Sequence, residues 1–137
     1  MKSFIVLSLG LLATPLLAER WSADWTPVAS STDKTWVFMK RDSLRDLPPK
    51  TGRDFAVRQV WVGFDFTAVK SEKDRKSLRL YQYDCIGQRV LIVSATNYSP
   101  SGKVVSKFSE IDDYDFKYDP VVPESVGASI LAAVCDS

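Results

Sequence analysis

The chain has 137 residues, with 18 Lys and Arg against 17 Asp and Glu and no His, for a net charge of +1. That balance excludes general nucleic-acid binding, which needs a basic excess to displace counterions from phosphates. The lack of His removes the commonest general base and metal ligand, so one chain holds neither a Ser-His-Asp nor a Cys-His site.

Met1 and Lys2 form a short basic start, residues 4–17 are mostly apolar, and Ala18 precedes the charged pair Glu19-Arg20. This is the pattern of a secretory signal peptide over residues 1–18, with cleavage expected after Ala18. The apolar run is shorter than the roughly 20 residues that span a bilayer. It holds no Cys, so no lipid-attachment cysteine is expected. Residues 19–137 then form one domain with no transmembrane segment, of a length that suits a single core.

Residues 19–31 carry Trp21, Trp25 and Pro27 and read as a tethered arm or first edge strand. The β-branched and aromatic run at 35–39 reads as a strand, and 40–52, with Pro48, Pro49 and Gly52, as a loop with one helical turn at 42–47. Residues 54–66 form the longest strand. Phe55, Val57, Gln59 and Trp61 alternate with Ala56, Arg58, Val60, Val62 and Phe64, and both faces are apolar towards the end, so both are expected to be covered. Residues 67–76 form a charged hairpin loop, 77–85 a strand and 86–88 a turn. The strand at 89–98 is nearly continuous in apolar residues, as a central strand would be. A turn at 99–102 leads to a last strand at 103–109 and an irregular acidic stretch at 110–119.

The period then changes. Pro123 and Glu124 suit a first helical turn, and Val126, Ile130 and Val134 recur every four residues beside Gly127, Leu131 and Cys135. Strands followed by one helix give an α+β class, an antiparallel sheet with the helix on one face.

Cys85 and Cys135 are the only cysteines, and in an exported chain they read as one disulfide. It would lay the helix over the face bearing Tyr81 and Tyr83. The alternative, a redox-active pair, usually has closer spacing and a thiolate-stabilising environment.

Little else in the sequence carries chemistry. Glu110, Asp112, Asp113, Asp115 and Asp119 offer oxygen ligands for a hard cation, but they lack the glycine and distal glutamate of a helix-loop-helix calcium loop. The glycines are scattered rather than gathered into a phosphate-binding loop. No catalytic residues, metal or cofactor are therefore expected. The charged loop is the sharper feature. Lys70, Lys73, Arg75, Lys76 and Arg79 outnumber Glu72 and Asp74 there. They read either as a solvated hairpin tip or as a contact patch for an acidic partner. Exposed Trp21 and Trp25 would form a second contact surface, since aromatic residues often anchor interfaces; otherwise they are a packed edge.

Taken in order, Trp25, Val60-Trp61-Val62, Asp84-Cys85, the strand ending at Tyr98, Pro123-Glu124-Ser125 and Val134-Cys135 resemble the bacterial surface-adhesin protein E family. The resemblance implies a curved antiparallel sheet of about six strands, with a C-terminal helix tied to its concave face by the disulfide. It also implies a non-enzymatic role, because some members bind host matrix or serum proteins. Its adhesive region maps loosely onto Lys76, Arg79, Tyr81 and Tyr83. The family's naming member resembles a lipid-anchored protein, whereas this chain has no such cysteine, so a periplasmic location is expected ahead of surface display or secretion. The expected partner is a protein, such as a host matrix protein, or a polyanionic polymer, contacted through Lys70, Lys73, Arg75, Lys76, Arg79, Tyr81 and Trp25. The alternative is a structural or assembly component of the cell envelope.

Overall fold

A computed structural model describes residues 21–70, 73–109 and 117–136. The expected leader at 1–18 and most of the acidic stretch lie outside the described residues. The elements are β1 (Trp25–Ser30), β2 (Trp36–Lys40), a 3-10 turn (Arg41–Ser43), β3 (Arg45–Leu47), β4 (Val57–Asp65), β5 (Lys76–Asp84), β6 (Arg89–Tyr98), β7 (Val104–Ser109), β8 (Asp119–Pro120) and helix α1 (Val126–Cys135).

All strand pairs are antiparallel, in the order β1-β2-β4-β5-β6-β7. The short strands complete the flanks: β3 continues the line of β2 beside β4, and β8 continues the line of β7 beside β6. Residues 42–47 are thus not a helical turn. The chain makes a 3-10 turn and re-enters the sheet, with the Ser43 hydroxyl accepting from the Trp61 amide at 2.9 Å. The acidic stretch likewise ends in pairing, at Asp119–Pro120, rather than staying irregular.

Register assigns the faces. Val37 and Met39 of β2 line up with Phe64 and Val62 of β4, which face Ser77 and Arg79 of β5; Val60 faces Tyr81. With Tyr83, Ile130 and Val134, these apolar residues form the core under α1. Burial of a side chain of Val, Ile or Phe size stabilises by about 1.5–3 kcal/mol. The alternation of 54–66 thus predicts the faces correctly over β4.

Helix α1 lies across β1, β4 and β5. It does not begin at Pro123-Glu124: Glu124 has φ +61°, outside helical backbone. Ser125 is the N-cap, and its hydroxyl accepts from the Ala128 amide at 3.1 Å, satisfying a donor the first turn leaves open. Cys135, in the last turn, bonds Cys85 just past β5, with Cα atoms 5.7 Å apart. Closing a loop over a separation of 50 residues stabilises by about 4 kcal/mol in the chain-entropy account. A ten-residue helix is marginal alone, so packing and the bond together hold it down.

Candidate functional site

The basic residues gather where the β4–β5 loop meets the β6–β7 turn. The loop is fastened by its backbone: the Phe66 amide donates to Arg75 O at 2.8 Å, and the Arg75 amide donates to Tyr98 O at 2.7 Å. The Arg75 guanidinium reaches Pro100 O at 3.4 Å. The neighbouring turn closes through Ser99 N to Lys103 O at 2.8 Å, and Gly102 supplies the positive φ of +85° that it needs. One rim of the sheet therefore carries Lys70, Lys73, Arg75 and Lys103. None of them pairs with a carboxylate among the described residues.

The other charged residues of the sequence patch leave this rim for opposite faces. Lys76 pairs across from Asp65 and Tyr98 on the outer face, away from α1. Its ammonium lies 5.4 Å from the Trp21 ring and 5.1 Å from the Tyr98 ring, over the electron-rich faces. Arg79 lies on the helix face, with its guanidinium 4.2 Å from the Phe64 ring, and donates to Ser77 Oγ at 3.0 Å and to Tyr81 Oη at 3.3 Å. Tyr81 is buried in the core beside Tyr83. Burial, reinforced by Tyr81, pushes the Tyr83 phenol far above its ordinary value, while Arg79 pulls the other way. Lys76 and Arg79 are three positions apart on one strand and so point to opposite faces, and the loop and the strand beyond it act separately.

Trp21 is buried, which corrects its reading as an exposed contact residue. It stacks on Phe38 at 4.7 Å, meets Trp25 edge-on at 5.0 Å, and donates from Nε1 to the buried Asp65 carboxylate at 2.8 Å. Trp25 is half-buried in the same cluster. Gly63 makes this possible: a Cβ there would overlap the Trp21 ring. A glycine inside a strand is the sequence signal for such close approach, and it goes with the packed-edge alternative for the tryptophans.

A cleft of about 280 Å³ lies beside the disulfide, lined by Val57, Arg58, Tyr83, Cys85 and Cys135 with Asp46 at its side. Arg58 donates to Asp46 at 2.8 Å and to Val134 O at 2.9 Å, so it ties β4 to β3 and to the helix end. The guanidinium holds the exposed Asp46 carboxyl below its ordinary value, through its hydrogen bond and then its charge. The cleft brings one carboxylate, not a catalytic pair, to its wall. Among the described residues no cluster of His, Cys, Asp or Glu is arranged around a metal position. Of the acidic stretch, Asp119 sits in β8, while Glu110, Asp112, Asp113 and Asp115 lie outside the described residues.

Three residues have a part in these surfaces that the sequence does not show. Lys103 joins the rim only because two turns meet. Tyr98 lies beneath Lys76 by cross-strand register, and Phe64 beneath Arg79. Each depends on strand pairing, which no local pattern gives.

A family model described as surface-adhesin protein E matches residues 25–136, and the chain belongs to that family. No curated protein and no solved structure matches the chain significantly. Membership carries an adhesin-like, non-enzymatic binding role and an exported or surface location. No described helix is long and apolar enough to cross a membrane.

Proposed function

We propose, from membership of the surface-adhesin protein E family, that this is an exported binding domain of the periplasm, residues 19–137, whose partner is an acidic protein surface or a polyanionic polymer. The contact is the basic rim of Lys70, Lys73 and Arg75, with Lys103 beside them. The supporting observation is the Arg75 fastening, which joins two loops into one cationic surface with no carboxylate partner among the described residues. Cations held this way raise the encounter rate with an anionic partner, and salt weakens the effect. Lys76 and Arg79, spread over the two faces, contribute to the field rather than to direct contact.

The test is binding of a sulfated polysaccharide to the native protein and to a Lys70→Ser, Lys73→Ser variant across a salt series. The reading expects weaker binding in the variant and a shallower salt dependence. Equal binding with equal salt dependence contradicts it. The exposed β7 strand favours a second reading, assembly with another envelope chain; concentration-dependent light scattering separates self-assembly from pairing with a different protein.

A further inference from the structure

Strand β7 ends the sheet, and every one of its residues is exposed. Its large apolar side chains stay in water: Val104 is 48% exposed, Val105 52% and Phe108 45%. Among the described residues nothing pairs with its outer edge. A strand with a free row of backbone donors and acceptors is a template for another extended chain, and proteins usually blunt such edges with proline, bulges or a covering element. The opposite edge strand, β1, has Pro27, a register break between Pro27 and Ala29, and α1 packed against it. β7 also has a register break, at Val105 near its start, but it contains no proline, no helix covers it among the described residues, and it contributes nothing to the core cluster.

We propose that the outer edge of β7 takes an extended peptide segment of a partner protein, added as a further strand, in which apolar and acidic residues alternate. The alternation follows from register. Phe108 pairs with Ala95, which pairs with Arg79, so it lies on the helix face; Lys107 pairs with Thr96 and Leu78 on the outer face. Successive side chains of an added strand point to these same two faces. Those on the helix face meet Phe108, and those on the outer face meet Lys107; Val104 lies on that outer face too, beyond the register break at Val105. Lys107 has no carboxylate partner among the described residues. Backbone hydrogen bonds supply affinity, and the two faces supply selectivity. The inference rests on the reading of the chain as a binding domain but turns on Lys107 and Phe108, which are not part of the basic rim.

The probe is a short synthetic peptide alternating valine and glutamate, with a valine-lysine counterpart as its control, titrated against the full protein. The valine-glutamate peptide binds, the valine-lysine peptide does not, and β7 amides gain protection from hydrogen exchange in the complex. A Lys107→Glu variant, checked for unchanged thermal unfolding, binds the acidic peptide about fivefold more weakly, because an exposed charge contact is turned from attraction to repulsion. Phe108→Ser weakens binding of the valine-glutamate peptide without altering charge, and so checks the apolar face separately. The Lys70→Ser, Lys73→Ser variant keeps full peptide affinity, so failure of the rim and failure of the edge are told apart. Equal affinity for both peptides, protection confined to another element, or release of the peptide site only on dissociation of a second copy would each overturn the proposal.

Discussion

At the β1 edge, Val28 and Ala29 pack against the core, α1 lies over the strand, and Pro27 removes a backbone donor. At the β7 edge, two valines and a phenylalanine stand in solvent with Lys107 among them. The β1 side is held by packing and by a covalent bond at the far end of the helix. The β7 side is held by its pairing to β6 alone among the described residues. Substitutions should therefore separate: those on the covered side change stability, and those on β7 change recognition.

The largest effect is expected from the disulfide. Replacing Cys85 and Cys135 together by Ser should lower unfolding free energy by about 4 kcal/mol, read as a shift of the urea midpoint. A change close to zero would mean that packing alone keeps the helix across β1. Gly63→Ala comes next. The added methyl displaces the Trp21 ring from the sheet and loosens its bond to Asp65. A cost of about 1–3 kcal/mol is expected, with a shift in tryptophan emission that a mutation merely weakening β4 would not give.

Tyr83 gives a pH test of the same covered side. Its folded-state pKa is raised above the ordinary 10.0, mainly by burial. The unfolded chain gives up this proton near that pH while the folded chain keeps it. Stability is thus full below pH 10.0 and falls as pH rises above it, with a slope of up to about 1.4 kcal/mol per pH unit from this group. Tyr83→Phe should flatten the alkaline limb of a stability–pH curve. On the other side, Phe108→Ser should move stability by no more than about 0.5 kcal/mol, as surface substitutions usually do. A loss several times larger would place Phe108 in a packed environment and remove the contrast between the edges.

Much of this fold is legible in the sequence. The alternation through Val60, Val62 and Phe64 and the four-residue spacing of Val126, Ile130 and Val134 report faces directly, because each reflects the period of its own backbone. The start of the helix is not legible, because Pro and Glu suit a first turn in general, whereas here Glu124 takes positive φ and Ser125 provides the cap. β3 and β8 are too short to carry a period, and pairing to a longer neighbour defines them. The charged loop is visible as a run of lysines and arginines. Its division is not, because Lys76 and Arg79 belong to one basic run in the sequence but register sends them to opposite faces. Trp21 reads equally as exposed or packed from its own neighbours in sequence, and Gly63, distant in sequence, is what admits its ring.

Residue-resolved hydrogen exchange on the free protein tests the contrast between the edges most directly. Buried strands such as β4 and β5, paired on both flanks, should exchange slowly throughout. In β7, amides directed towards β6 should be protected, and the alternating amides directed outward should exchange at nearly the rate of an unstructured chain. Slow exchange at every β7 amide, matching β5, would mean that the edge is already covered and would contradict an open binding strand.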